Sequence, residues 1–308
     1  MSYLKVMRAV FSTKMGSRSL LIFVGLLLGS YFFGAYSYQK SIFPFTFMND
    51  FPTKTTGSYD SFGRLIEISG KQEIDCPIQT NETAVLLSIG QSNSANHAEK
   101  KITTKYPLNV FNYHNGRCYV AASPLLGATG EEGEFLTPLS DKLIDNGTYK
   151  SVVIISSGIG GTPLARWQID GDLNEMLINT LSGIKNYKVT EIIWHQGETD
   201  FGISLNTKMY EKSFNSLKES LIDIGVTAPY FIAVATKCGN NPHWKPINPV
   251  TIAQNKLADQ KKVFLAVNTD DLLTKDDRRS DLCHFSENGQ YKVAEAYAEA
   301  IRSYHNTR

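Results

Sequence analysis

Apolar positions along this chain of 308 residues fall into short solid blocks, separated by longer stretches in which they recur at helical spacing. Ala84-Val85-Leu86-Leu87-Ser88-Ile89 is one such block and reads as a strand buried on both faces. Ser151 to Ser157, Glu191 to His195, Tyr230 to Ala235 and Val263 to Val267 repeat the pattern. Between them, residues 134–146, 172–186, 206–224 and 250–261 carry helical periodicity, and a last helix is predicted over about 286–304. Strands alternating with helices of this length predict parallel βαβ units. The expected fold is therefore a three-layer α/β/α sandwich around a mostly parallel, five-stranded sheet. Residues 97–133 have no clear period and read as a long insertion carrying substrate contacts.

The start of the chain follows another rule. Residues 20–36 are apolar and uncharged, and Lys5, Arg8, Lys14 and Arg18 precede them. That is enough, with its flanks, to span a bilayer, and the one-sided basic flank puts the N-terminus in the cytoplasm. The expected organisation is a basic cytoplasmic segment at 1–18 and a transmembrane signal anchor at 19–38. A stalk and lead-in follow at 39–80, and an extracytoplasmic domain at 81–308. A cleaved signal peptide is the alternative, since Ala35-Tyr36-Ser37 fits a small-x-small cleavage site. Pro44, Pro52, Gly57, Gly70 and Pro77 give the lead-in an irregular character.

Composition sharpens this picture little. Apolar residues make up 42% and charged residues 20%, which supports an ordinary packed core. Net charge is +1, but residues 1–40 hold five basic residues and no acid, leaving 26 basic and 30 acidic residues in the remainder. A mildly acidic domain gives no electrostatic reason to expect nucleic acid as a partner.

Candidate chemistry centres on Gly90-Gln91-Ser92-Asn93, directly after the first buried strand. The carboxyl ends of parallel strands are where open α/β sheets bind ligands. A serine on a tight turn there can act as a nucleophile if a base reaches it; the plain alternative is a polar turn with Ser92 as a helix cap. Asp281-Leu282-Cys283-His284 offers a base, His284, with a carboxylate three residues before it. Gly158-Ile159-Gly160-Gly161-Thr162 and Trp194-His195-Gln196-Gly197-Glu198 each follow a predicted strand.

These four stretches, in this order, resemble the SGNH hydrolase superfamily, and within it the sialate O-acetylesterase-like and carbohydrate esterase branch. The resemblance spans about residues 84–302. It implies a flavodoxin-like SGNH fold and a triad of Ser92, Asp281 and His284. It also implies an oxyanion hole made by the amides of Ser92 and Gly160, with Gly161 close behind, and by the side chain of Gln196. In many SGNH enzymes the third donor is asparagine; a glutamine has the same donor chemistry on a longer arm. Gln91, Gly161, Arg166, Trp167 and Glu198 are the candidate substrate contacts. Arg166 could pair with a substrate carboxylate bidentately, although a surface arginine and a packing tryptophan are the plainer reading of Arg166 and Trp167. Glu198 also reads as fixing its loop, His195 as structural and Asp200 as a cap.

No HExxH, paired CxxC or glycine-rich phosphate loop occurs, and His97, His114 and His243 have no metal-ligand spacing, so no metal or cofactor is expected. Cys76, Cys118, Cys238 and Cys283 allow three pairings in an oxidising compartment. Cys76–Cys118 with Cys238–Cys283 is the expected one, the second bond holding the loop before His284. The sequence reading is thus a membrane-anchored, extracytoplasmic serine esterase that removes O-acetyl groups from a sialic acid or polysaccharide. Two rivals stand beside it: a polysaccharide O-acetyltransferase with the same triad, and a non-catalytic carbohydrate-binding protein.

Overall fold

The structure, a computed structural model, describes residues 57–258 and 261–307, together with 25–26, 29–33 and 36. The expected anchor at 19–38 lies largely outside the described residues, as does the stalk up to residue 56. Among the described residues no helix is long and apolar enough to cross a membrane.

Thr56–Arg308 forms one compact unit. Its strands are β1 (Gly57–Tyr59), β2 (Leu65–Ile68), β3 (Glu73–Ile74), β4 (Thr83–Gly90), β5 (Val110–His114), β6 (Arg117–Val120), β7 (Ser151–Ser156), β8 (Glu191–His195), β9 (Tyr230–Val234) and β10 (Val263–Asn268). Its helices are α1 (Leu136–Asp145), α2 (Asp172–Ser182), α3 (Glu198–Gly202), α4 (Thr207–Asp223), α5 (Pro249–Ala258), α6 (Thr269–Leu272) and α7 (Glu287–Asn306). β1 and β2 pair as a separate antiparallel hairpin. The other strands form one sheet in the order β10-β9-β8-β4-β7-β5-β6-β3. It is parallel from β10 to β5 and antiparallel across β5, β6 and β3.

All five expected strands are present and parallel, but among the described residues the sheet has eight strands rather than five. β5 and β6 lie inside residues 97–133, which the pattern assigned to an insertion. They are short, and their joining turn, Asn115-Gly116, has positive φ at both residues, the geometry of a two-residue hairpin turn. Residues 57–80, assigned to the lead-in, supply β1, β2 and β3 to the compact unit.

The alternation of side chains along a strand makes the three layers. Val85, Leu87 and Ile89 of β4 enter one core with Leu177 of α2, Phe214 of α4 and Ala253 of α5. Ala84 and Leu86 enter the other core with Leu139 of α1 and Tyr297 of α7. After β4 the chain crosses to β5 and β7 on one side, then returns to β8 on the other. The carboxyl end of β4 is thus the point where strand order reverses, the crevice where such folds bind ligands. Gly90 ends β4 with φ +130°, and a Cβ there would sit 2.2 Å from the carbonyl oxygen of His195. Any side chain at this position would push β4 off β8 just before Ser92.

Candidate active site

Ser92 opens a 3-10 turn, Ser92–Ser94, at the end of β4. It lines a cavity of about 700 Å3 with Gln91, His97, Gly160, Glu198 and His284. Asn93, next in the turn, donates from Nδ2 to Glu198 Oε1 at 2.8 Å and to the carbonyl of Cys283 at 3.4 Å. One side chain thereby ties the serine turn to the loop that carries the histidine.

That loop is self-contained. Asp281 Oδ1 accepts the amides of Cys283 (2.9 Å) and His284 (3.0 Å), and its Oδ2 accepts from His284 Nδ1 at 2.8 Å. Because an ionised carboxylate only accepts, Nδ1 carries the hydrogen and Nε2 is left as the proton acceptor. Burial works against ionisation of Asp281, but the hydrogen bonds from His284 and the two amides outweigh it and hold the carboxyl below its usual range. The following helix, α7, is capped by Ser286, whose Oγ accepts from Gly289 N, so Asp281 is free of that duty. Cys238 is bonded to Cys283, and Cys76 to Cys118. Both expected disulfides are present, and the first of these joins the histidine loop to the loop after β9. Ser92 and His284 line the same cavity without a direct hydrogen bond between them.

The other side of the cavity differs from the sequence reading. Gly160 lines the cavity, but its amide donates to Thr129 Oγ1 at 2.8 Å. Gly161 also lines it, with φ +69°. Gln196 is fully buried. Its Nε2 donates to Asp200 Oδ2, to the carbonyl of Thr162 at 3.2 Å and to Gln91 Oε1 at 3.4 Å. Its amide hydrogens are thus engaged inside the protein, where Gln196 braces the strand ends; the resemblance had it as a donor in the oxyanion hole. The carboxamide that does line the cavity is Gln91. Its Oε1 accepts the amides of Thr199 (3.2 Å) and Gly197 (3.5 Å). Backbone amides are donors only, so this end must be the oxygen. The other end, Nε2, has no acceptor among the described residues.

The remaining candidates separate. Trp167 is completely buried, donates to Thr162 Oγ1 and packs edge-on to Trp194. It is packed in the core and is not among the residues that line the cavity. Arg166 lines the cavity but is paired bidentately with Asp172. Glu198 lines the cavity while its side chain is almost wholly buried, and burial pushes its carboxyl up to about 7 against the Asn93 hydrogen bond. His195 is enclosed by Phe135, Phe285 and Tyr297, and burial lowers it to about 3, so it stays neutral as a packing residue. Asp200 is not a cap of the next segment; it accepts from Leu164 N at 2.9 Å and from Gln196, holding the Gly158–Thr162 turn.

The sequence reading missed His97. Its ring stacks on His284 with centroids 5.4 Å apart, and Nε2 is 3.1 Å from Thr129 Oγ1, the group that holds Gly160. Burial, then the neighbouring His284 and Arg279, lower it to about 4, so it is neutral beside His284. Its only sequence signal is its position five residues after Ser92.

The profile of a carbohydrate esterase family, the sialic acid-specific acetylesterases, matches residues 82–303. Among solved structures, NanS is similar at 14% identity and TM-score 0.54, covering 75% of this chain and 100% of that one. A protein from Arabidopsis thaliana is similar at 13% identity and TM-score 0.54, covering 73% and 99%. At these identities the structural likeness shows a shared fold. No curated protein sequence matches. With its matched segment running from before β4 to within the last helix, the chain is a carboxylic ester hydrolase and belongs to the carbohydrate esterase family of sialic acid-specific acetylesterases.

Proposed function

We propose that the protein removes O-acetyl groups from a sugar, with Ser92 as nucleophile, His284 as general base and Asp281 as the group that orients it. Ser92 Oγ attacks the ester carbonyl while its proton passes to His284 Nε2. The developing oxyanion is stabilised by the amide of Ser92, by the Gly160 amide as it exchanges Thr129 for the substrate, and by Gln91 Nε2. His284 then protonates the departing sugar oxygen, and the carbon–oxygen bond to the sugar breaks. Water, deprotonated by His284, cleaves the acetyl-Ser92 ester and releases acetate. The observation that carries this reading is the His284–Asp281 pair at 2.8 Å on the wall of the cavity that also holds Ser92.

The same proposal places the domain outside the cytoplasm, anchored through residues 19–38. Two disulfides support an oxidising compartment, and the basic residues before the apolar stretch support the orientation. The test is acetate release by the full chain from O-acetylated sialic acid, xylan and bacterial surface glycans, beside Ser92→Ala. Free acetate from one of these, lost by about 10⁵-fold or more in the variant, is expected. Acetyl groups moved onto an acceptor glycan would make the protein a transferase, and turnover that survives in Ser92→Ala would displace the nucleophile.

A further inference from the structure

The β1–β2 hairpin precedes residues 82–303, the part that the family profile covers, yet it reaches the candidate active site. Phe62, in the turn between the two strands, lines the cavity together with Phe201 of α3. Both rings are half-buried and backed by the core on the α2, α4 and α5 side of the sheet. Each therefore has a supported side and a side turned to the cavity.

The hairpin is held firmly. Asp60 Oδ1 accepts the amides of Phe62 and Arg64, both at 2.9 Å, and Asp60 Oδ2 pairs with Arg64 Nε at 2.7 Å. Arg64 Nη1 donates to Thr180 of α2 at 2.9 Å. Leu65 N donates to Ala128 O at 2.9 Å, and Gly127 N to Leu65 O at 2.8 Å. Arg64 also forms an antiparallel bridge with Thr129, whose hydroxyl holds the Gly160 amide. Phe62 is thus fixed to the segment that shapes the oxyanion side of the cavity.

A cavity of about 700 Å3 is far larger than an acetyl group needs and falls among sites that enclose whole small-molecule ligands. Its lining alternates apolar rings with polar groups, among them Gln91, Arg166, Thr199 and Asn241. A pyranose ring has that same mixed character, with hydroxyls around its edge and C–H bonds on its faces. Those C–H bonds carry partial positive charge and meet the negative face of an aromatic ring favourably. A pocket for a long acyl chain would instead be lined by apolar groups throughout. We propose that Phe62, with Phe201, is the platform on which the sugar ring bearing the ester rests, so that a hairpin outside the family-matched segment sets this enzyme's substrate choice. This rests on the acetyl-sugar reading above.

The test compares the full chain with Phe62→Ala and Phe62→Tyr, on an O-acetylated sugar and on ethyl acetate, which has no ring to rest on the platform. Phe62→Ala is expected to raise KM for the sugar roughly five- to tenfold, the worth of one aromatic contact, with kcat unchanged. Both constants for ethyl acetate should hold, and Phe62→Tyr should restore the sugar KM. An unchanged sugar KM in Phe62→Ala overturns the proposal. So does an equal loss on both substrates with a lower Tm, which would make Phe62 structural. A rise in KM for ethyl hexanoate with none for the sugar would assign the ring to an acyl chain. Should the native chain turn over no ester, the esterase reading fails separately; calorimetric titration with the deacetylated sugar still reads Phe62, and equal affinity in Phe62→Ala would reject the platform.

Discussion

The histidine side of the cavity is made by one short stretch of chain, and the side that holds Gly160 and Gln91 by many. Between Arg278 and Phe285, which bridge each other, Asp281 binds two amides and the His284 ring within three residues of itself. Across the cavity, Gly160 is held by a hydroxyl 31 residues earlier and Gln91 by amides 106 and 108 residues later. Asn93 links the two sides through Glu198 and the Cys283 carbonyl. The local side can be set by sequence spacing alone, whereas the other depends on how three parallel strands align at their carboxyl ends.

Substitutions on each side should therefore behave differently. Among changes that keep both Ser92 and His284, the largest effect is expected for Asp281→Asn, which disturbs the tautomer of His284. A buried triad acid is worth about 10⁴ in kcat. Asp281 is 42% exposed at its side chain, and water takes over part of its work, so a fall of about 10²- to 10³-fold is expected. Stability should barely change. Steady-state kinetics at neutral pH checks this, and an unaltered kcat would remove Asp281 from the mechanism.

Next is Gln91→Glu, on the oxyanion side. The new carboxylate keeps an oxygen for the Gly197 and Thr199 amides but has no hydrogen to donate. Losing one oxyanion donor costs about 10²- to 10³-fold in kcat, and a fall of that size with little change in KM is expected. If kcat holds while KM rises, Gln91 binds substrate without stabilising the oxyanion.

The smallest effect concerns stability. Glu198 has its carboxyl raised to about 7 in the folded protein from an ordinary 4.5. A folded state that holds a proton more tightly than the unfolded chain is favoured at low pH. That advantage is complete below about 4.5 and is lost as pH rises to 7, a loss of roughly 3 kcal/mol. Glu198→Gln keeps an acceptor for Asn93 and does not titrate. The variant should thus gain on the native chain by that amount between pH 4.5 and 8 in urea unfolding. Parallel pH curves would mean that Glu198 titrates normally.

The same contrast explains what was legible in the sequence. Solid apolar blocks such as residues 84–89 gave the buried strands, because a strand covered on both faces is apolar at most of its positions and does not alternate. The pair Asp281 and His284 was legible because its geometry is local. β5 and β6 were missed in a stretch without clear period, although Asn115-Gly116 is a hairpin signal that could have marked them. Gln196 was given a donor role by resemblance, yet its acceptors Asp200, Thr162 and Gln91 come together only on folding. His97 and Phe62 were missed because their place in the cavity depends on contacts far along the chain: His97 with Thr129 and His284, and the Phe62 turn through Leu65 against Gly127 and Ala128.

The proposed role of Ser92 as the nucleophile served by His284 underlies the kinetic expectations. Covalent labelling of the full chain with an aryl phosphonate ester, followed by peptide mass mapping, tests it without any assumption about the sugar. One adduct per chain is predicted, on Ser92, forming far more slowly in Asp281→Asn and in His284→Ala. An adduct on another residue, or labelling of Ser92 at the same rate without His284, would contradict that role.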